Sequence, residues 1–213
     1  MVLVNGIESS QTSAFDRGLL YGQSVFETIA IRQADFCLLD LHLQRLIKGC
    51  KTLSIPLDCS ALKRELALIK RHLDPNSEKA VLRLSVTMGE GGRGYLNPKV
   101  PQVNRILSLH DYPQHPKQNW ISGIILGLSE MRLASQPVLA GIKHGNRLEQ
   151  VMARSAWQAG WQEALLCDYD NNVIEATQSN VFLVKDGIIK TPLLHNCGVA
   201  GVMREHIIEQ AQK

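Results

Sequence analysis

The sequence predicts an α+β protein of two domains, and three observations lead to that expectation. The chain has 213 residues, enough for one or two modest domains with their own hydrophobic cores. Apolar residues alternate along Val81–Met88, as in a strand, whereas residues 62–73 carry apolar positions at helical spacing. Segment 112–120 contains two prolines and few apolar residues, which is typical of a linker. We therefore expect an N-terminal domain over 1–111 and a C-terminal domain over 121–213.

Composition excludes several classes of protein. Hydrophobic residues make up 45% of the chain and charged residues 20%, and no apolar run approaches the ~18 positions that a membrane helix needs. The first residues lack the basic leader of a secretory signal. A net charge of +3, scattered along the chain, gives no basis for nucleic-acid binding. We expect a soluble cytoplasmic protein.

The cysteines and histidines show no pattern of a disulfide framework or a metal site. The five cysteines are an odd number without paired spacing, which predicts reduced, mostly buried thiols. The seven histidines are dispersed, and the chain has no His-x-x-x-His or Cys-x-x-Cys pair. No metal is expected.

Local patterns assign the elements of the first domain. Asn5-Gly6 between apolar residues predicts a tight hairpin, and Asp40 is the expected N-cap of an amphipathic helix. The glycine-rich stretch Gly89–Tyr95 then interrupts a strand. Because glycines permit sharp turns and close approach of a ligand, this stretch is either a ligand-binding loop or a flexible hairpin tip.

The second domain is expected to open with a buried strand, Ile121–Leu128. Hairpins are predicted over 164–175 and 180–190, each around a polar turn. Gly198 and Gly201 precede a predicted terminal helix, and free N–H groups at such a helix start can bind an anion. Glycine-containing loops of this kind are common, so this pattern alone is weak.

Lys143 lies between an apolar approach, Val138–Ile142, and a predicted helix. The apolar stripe of that helix consists of Leu148, Val151, Met152, Ala156 and Ala159. We expect Lys143 at the mouth of the helix, just outside its packed face, where nearby positive charge and partial desolvation favour a nucleophilic neutral amine. The alternative for any single lysine is a solvated surface charge.

Four features of the chain together indicate pyridoxal-phosphate chemistry. They are a lysine able to form an imine, an acidic residue on a later strand, a helical arginine and a helix that begins with glycines. The cofactor aldehyde requires the amine, its pyridinium nitrogen requires the carboxylate, and its phosphate requires a cation with helix N–H groups.

The motifs that carry these features resemble those of the fold-type IV pyridoxal-phosphate enzymes, over nearly the whole chain. Asp16–Thr28 resembles the N-terminal signature of the family, His42–Leu46 its phosphate-arginine helix, and Gly91–Tyr95 a substrate-side loop. Gly141–Gln150 resembles the lysine motif and is the most specific match, while Glu175–Phe182 and Gly201–Arg204 resemble the pyridine-nitrogen segment and the phosphate-binding turn.

The resemblance implies a role for each cofactor residue. Lys143 forms the covalent link to pyridoxal 5'-phosphate and moves a proton, Glu175 pairs with the ring nitrogen, and Arg45 holds the phosphate. Asn180 lies beside the cofactor, and the backbone groups of Val202 and Met203 complete the phosphate cup. The alternative for Glu175 is an exposed strand residue, but the preceding Val173-Ile174 gives it an apolar setting in which an unpaired carboxylate is costly. Without the family pattern, Arg45 is expected to be a solvated helix charge.

The resemblance also implies substrate residues. Arg93 and Tyr95 bind a substrate carboxylate, which a guanidinium grips in a bidentate way, and Thr28 assists proton transfer. A charge at the tip of a loop is the alternative for Arg93.

Within the family the chain most resembles the 4-amino-4-deoxychorismate lyases, which release pyruvate and 4-aminobenzoate for folate biosynthesis. The implied fold is the two-domain, D-amino acid aminotransferase-like one. Family members run several tens of residues further, so the C-terminal domain is expected to be incomplete. A homodimer with a small-molecule substrate is also implied.

Two alternatives remain open. Tyr21–Ser24 looks more like the branched-chain aminotransferase version of that loop, so an aminotransferase acting on branched-chain or D-amino acids is the first. A non-catalytic relative with the same fold is the second.

Overall fold

The computed structural model describes residues 1–73 and 79–213, and these divide into two compact units. The first unit contains residues 1–113 together with 143–146, and the second contains 114–142 together with 147–213. The division after residue 113 falls inside the expected linker, whereas the segment around Lys143 joins the first unit and not the second.

The first unit is built on a six-stranded antiparallel sheet with the strand order β2-β1-β6-β5-β3-β4. Its strands are β1 (Val2–Val4), β2 (Ile7–Glu8), β3 (Ser24–Arg32), β4 (Asp35–Phe36), β5 (Lys79–Thr87) and β6 (Asn104–Asp111). Its helices are α1 (Arg17–Tyr21), α2 (Leu39–Thr52) and α3 (Cys59–Arg71). The hairpin at Asn5-Gly6 is confirmed, because both residues have positive φ and Val4 pairs with Ile7.

Helices α2 and α3 pack on one face of this sheet and enclose the core. Strand β3 alternates as expected for a half-covered sheet, with Val25, Ile29 and Ile31 almost fully buried. The helical spacing in residues 62–73 is confirmed by the buried Leu62, Leu66 and Ile69 on α3. The expected N-cap at Asp40 is wrong, because α2 begins at Leu39 and Leu38 occupies the cap without a side-chain hydrogen bond.

The second unit contains a three-stranded sheet and a separate two-stranded hairpin. The sheet has the order β7-β8-β9, formed by β7 (Leu126–Leu133), β8 (Glu163–Asp168) and β9 (Val173–Ala176). The hairpin consists of β10 (Leu183–Lys185) and β11 (Ile188–Lys190), and the helices are α4 (Gln118–Ser122), α5 (Leu148–Ser155) and α6 (Val202–Ala211). Both predicted hairpins of this half are confirmed by antiparallel pairing.

The expected strand at Ile121–Leu128 is wrong in both position and burial. Residues Gln118–Ser122 form α4, and the strand begins only at Leu126. Ile121 is 79% exposed and Leu128 56% exposed, so the apolar run that suggested a buried strand lies mostly at the surface.

The packed face of the helix after Lys143 also differs from the expectation. Helix α5 ends at Ser155, and Leu148, Val151 and Met152 are all more than half exposed. The buried residue is Ala153, which lies on the opposite side of the helix from Val151 and packs in the core of the second unit. A small side chain lets the helix approach its sheet closely, so the alanine and not the larger residues faces the core.

No helix among residues 1–73 and 79–213 is both long enough and apolar enough to cross a bilayer.

Candidate active site

Lys143 lies in a short segment that runs beside the beginning of β3. The N–H of Phe26 donates to the carbonyl oxygen of Lys143 at 2.9 Å, and the N–H of Gly145 donates to the carbonyl of Ser24 at 2.8 Å. A Cβ atom on Gly145 would lie 2.1 Å from the Ser24 hydroxyl oxygen, so a larger residue there would have to displace the Ser24 side chain. The segment is therefore added to the edge of the sheet, which fixes the backbone at position 143.

The half-buried Lys143 side chain lies against the face of the sheet that the helices leave uncovered. Its ammonium nitrogen is 4.6 Å from the centroid of the Phe26 ring, and the Arg83 guanidinium is 4.4 Å from the same centroid. Thr28 is two residues beyond Phe26 on β3 and so points to this face, opposite Arg83 in register. The structure thus places Lys143 and Thr28 on one face of one sheet, around an aromatic ring.

Arg45 lies in a buried cluster with Glu27 and His42. Glu27 is fully buried, and its carboxylate accepts from Arg45 Nε at 2.8 Å, from Arg45 Nη2 at 2.5 Å and from His42 Nδ1 at 2.6 Å. Burial raises the pKa of Glu27, but the hydrogen bonds and charges of Arg45 and His42 outweigh it and leave the pKa below its usual value. Glu27 is therefore an ionised partner that orients the Arg45 guanidinium.

Arg93 and Tyr95 belong to an exposed loop of the first unit, and Tyr95 is 85% exposed. The backbone of this loop is bound by Arg17, whose guanidinium donates to the carbonyls of Gly94 and Tyr95 at 3.0 Å each. The buried cation Arg17 thus attaches this loop to helix α1.

Glu175 lies in the second unit, on the buried strand β9, and is 5% exposed. One carboxylate oxygen accepts from the N–H of Val199 at 2.8 Å, and the other accepts from Gln150 Nε2 at 3.4 Å. Gln150 Oε1 is buried and has no hydrogen-bond partner among the described residues. The negative charge of Glu175 opposes the burial that lowers the pKa of Arg147. Glu175 is thus a buried carboxylate beside an acceptor that lacks a donor.

Asn180 organises the turn that leads into α6. Its side-chain amide donates to the carbonyl of Val199 at 2.8 Å, so the Val199 peptide unit connects Asn180 with Glu175. A Cβ atom on Gly201 would lie 1.8 Å from Asn180 Oδ1, which explains the glycine at that position. The adjacent Gly198 has a φ of +80°, and a Cβ there would lie 3.4 Å from Glu175 Oε2.

Val202 and Met203 form the first turn of α6. The N-cap residue Gly201 provides no side-chain acceptor, and first-turn N–H groups have no partner within a helix. Val202 is buried, whereas Met203 is 59% exposed. This turn has the donors that an anion requires.

Sequence reasoning assigned no role to four residues that the structure places in these clusters, namely Arg17, Glu27, His42 and Gln150. Glu27 could have been found, because it occupies an inward position of a strand whose other inward residues are apolar. Arg17 and Gln150 gave no comparable signal, since their partners are distant in sequence. Among the described residues, no group of three potential metal ligands is present.

A model of the family described as amino-transferase class IV matches residues 24–213. The chain is 34% identical to the aminodeoxychorismate lyase of Vibrio harveyi, over 100% of this chain and 78% of that protein. It is 45% identical to a solved 4-amino-4-deoxychorismate lyase from Pseudomonas aeruginosa, with a TM-score of 0.93, covering 100% of this chain and 77% of that one.

An aminotransferase is also similar. The chain is 32% identical to a putative branched-chain-amino-acid aminotransferase of Methanocaldococcus jannaschii, over 97% of this chain and 71% of that protein. The sequence motifs, the fold and these similarities all indicate the same family. The chain belongs to the amino-transferase class IV family, the pyridoxal-phosphate-dependent enzymes of fold type IV.

Proposed function

We propose that this protein is a 4-amino-4-deoxychorismate lyase that forms 4-aminobenzoate and pyruvate, a step that leads to folate. The observation that carries the proposal is the 45% identity to the solved lyase from Pseudomonas aeruginosa over the whole chain, with a TM-score of 0.93. The atoms of the two products together equal those of the substrate, so the reaction needs no second substrate.

The residues of each unit fit pyridoxal 5'-phosphate. Lys143 offers a half-buried amine on an aromatic ring, and Glu175 offers a buried carboxylate beside Gln150 Oε1, which lacks a donor among the described residues. In the second unit, the uncapped first turn of α6 at Val202 and Met203 offers N–H groups of the kind that bind a phosphate. In the first unit, Arg45 offers a guanidinium oriented by Glu27, the kind of cation that a phosphate requires. When bound, the cofactor serves as an electron sink for a carbanion on the substrate.

The side chains around the cofactor have distinct tasks in the proposed reaction. Glu175, fixed by the Val199 N–H, keeps a ring nitrogen protonated through its negative charge. Lys143 Nζ would hold the cofactor through its aldehyde, and the free Lys143 amine would then accept a proton from the substrate and donate one to the departing pyruvate. Formation of the aromatic ring of 4-aminobenzoate provides the driving force.

Other residues bind and orient the substrate in this proposal. The Arg93 guanidinium and the Tyr95 hydroxyl bind a substrate carboxylate, and Thr28, on the same sheet face as Lys143, assists the proton transfer. Asn180 keeps the turn before α6 in place for the phosphate. We further propose that the enzyme is cytoplasmic and acts as a homodimer. Sedimentation of the purified protein will test whether it is a dimer.

The proposal is tested by borohydride reduction of the protein with pyridoxal phosphate, followed by peptide mapping and a pyruvate assay. We expect the reduced label on Lys143 and pyruvate release from 4-amino-4-deoxychorismate alone. Lys143→Ala should lose both, whereas Lys48→Ala, at an exposed position of α2, should lose neither. A label elsewhere, or no label, would contradict the proposal.

The second candidate is an aminotransferase for branched-chain or D-amino acids. It is favoured by the similarity to the putative aminotransferase of Methanocaldococcus jannaschii and by Tyr21–Ser24. An aminotransferase releases no pyruvate from the lyase substrate alone and needs a 2-oxo acid to turn over. A non-catalytic relative would show neither turnover nor a trapped lysine.

A further inference from the structure

Arg17 is a buried cation whose partners are neutral. It is 3% exposed, and no described residue forms a salt bridge with it. Its Nε donates to Gln23 Oε1 at 2.6 Å, and its two terminal nitrogens donate to the carbonyls of Gly94 and Tyr95. A buried guanidinium is costly unless its donors are used, so its position depends on these three acceptors.

Arg17 contacts the loop around Tyr95 in two ways, through the loop backbone and through the aromatic ring of Tyr21. The guanidinium carbon is 4.9 Å from the centroid of the Tyr21 ring, and Tyr21 contacts the Tyr95 ring edge-on at 5.4 Å. Gln23, bound to Arg17 through its oxygen, donates from Nε2 to Asn97 Oδ1 at 2.8 Å. One buried side chain therefore connects to the loop at three points, at residues 94, 95 and 97.

The loop also packs tightly on the aliphatic part of Arg17. A Cβ atom on Gly91 would lie 2.5 Å from Arg17 Cδ, whereas a Cβ on the neighbouring Gly92 would meet nothing within 4 Å. The N–H of Arg17 donates to the carbonyl of Gly89 at 2.9 Å. Contact with Arg17 thus begins where the loop leaves strand β5.

Asp16, the residue before Arg17, attaches the start of α1 to the sheet. Asp16, 2% exposed, caps α1 by accepting from the N–H of Gly18, and its other oxygen accepts from Thr87 Oγ1 and Asn104 Nδ2 at 2.7 Å each. Thr87 and Asn104 belong to the adjacent strands β5 and β6. The sheet therefore fixes the backbone from which the Arg17 side chain reaches the loop.

We infer that Arg17 is the positioning residue of the substrate loop: it holds the backbone of residues 94–95 and so aims Arg93 and Tyr95 at the substrate carboxylate. The inference rests on the proposed lyase function for the identity of the substrate. A loop that grips a carboxylate stabilises the bound substrate and the transition state equally, so loosening it raises KM and leaves kcat nearly unchanged.

Arg17→Met and Gly91→Ala test the inference in the full chain, with Gly92→Ala as the matched variant. We expect Arg17→Met to raise KM for 4-amino-4-deoxychorismate about 10- to 100-fold, since the loss of a charge-assisted hydrogen bond to the substrate has effects of that size. Gly91→Ala keeps the cation and should raise KM several-fold more than Gly92→Ala, which measures the effect of a methyl group in the loop. The amount of borohydride-trapped cofactor should stay at the wild-type level.

Trypsin cleavage after Arg93 gives a readout that does not depend on activity. If Arg17 holds the loop, cleavage at this bond should be about tenfold faster in Arg17→Met and in Gly91→Ala than in Gly92→Ala, because proteolysis follows the population of the open loop. If the wild-type protein releases no pyruvate, the proposed function fails, and the cleavage rates alone then decide whether Arg17 holds the loop.

Two results would overturn the inference. The first is an unchanged KM with a parallel loss of kcat and trapped cofactor in Arg17→Met, which indicates a purely structural role. The second is equal cleavage after Arg93 in Gly91→Ala and Gly92→Ala together with a wild-type rate in Arg17→Met.

Discussion

Replacing Glu27 with glutamine should destabilise the protein severely, although it changes one atom of a side chain. The Glu27 carboxylate is fully buried, and the Arg45 side chain that it binds is 10% exposed. Glutamine retains one acceptor oxygen but replaces the other with a donor that faces the donors of Arg45 and His42. The substitution therefore leaves a buried cation without its counter-charge.

The expected loss is about 3–5 kcal/mol in the free energy of unfolding, the usual effect of breaking a buried ion pair on one side. For a chain of this length each kcal/mol shifts Tm by about 2–4 °C, so Tm should fall by about 6–20 °C. The matched substitution is Asp35→Asn. Asp35 Oδ1 lies 2.5 Å from Lys70 Nζ, the same distance as in the buried pair, but the two side chains are 77% and 55% exposed. Its loss should be below about 1 kcal/mol.

The effect of Glu27→Gln should depend on pH in a definite direction. The pKa of Glu27 in the folded protein lies below the ordinary value of 4.5. A depressed pKa adds stability that is present above the ordinary pKa and is lost as the pH falls through the folded-state pKa. The difference between wild type and variant should be complete at neutral pH and shrink below about pH 4.5.

Urea unfolding followed by far-ultraviolet circular dichroism, at pH 7 and at pH values from 5 to 3, measures both quantities. The reasoning is refuted if Glu27→Gln loses no more stability than Asp35→Asn at pH 7. It is also refuted if the difference from wild type stays constant down to pH 3, because the charge of Glu27 would then not be its source.

Three further predictions follow from the second unit and the cysteines. Glu175→Gln should keep the Val199 hydrogen bond but lower kcat about 10²- to 10³-fold in the pyruvate assay, since it removes a preorganised charge. Gly198→Ala should lower the free energy of unfolding, measured in urea, by about 1–3 kcal/mol more than Gly187→Ala. Both glycines have positive φ, but of the two only Gly198 has a side-chain atom within 3 Å of an added Cβ. Burial raises the pKa of Cys197 to about 11, which depletes its thiolate at pH 7.5, so iodoacetamide should label the exposed Cys59 first and reach Cys197 only after denaturation.

Sequence reasoning identified the elements whose residues repeat with a clear local period. Strand β5, helix α3 and the hairpin at Asn5-Gly6 agree with expectation, because alternation, helical spacing and turn chemistry act over a few neighbouring residues. The same reasoning misplaced the strand near Ile121 and chose the wrong face of α5. The strand was misplaced because an apolar run does not show which other element, if any, covers it. The face of α5 was wrong because a short helix can pack on its sheet through a single alanine.

Pairing partners lie beyond the reach of local patterns. Arg17 and the carbonyl of Gly94 are 77 positions apart, and Glu27 meets Arg45 across 18 positions, from strand to helix. Such contacts arise from the packing of whole elements, so neither the buried cluster at Glu27 nor the attachment of the loop could be inferred from spacing.

The sequence by itself determined the family, the cofactor chemistry and the side chains available for it, because an amine, a carboxylate and a helix start with free N–H groups are properties of residue type and local motif. Only the tertiary structure decided that Lys143 is added to the edge of the first unit's sheet against Phe26, that Glu175 is fixed by the Val199 N–H, and that Arg45 is oriented by Glu27. Those placements depend on burial and on hydrogen bonds between distant segments, which exist only once the chain has folded.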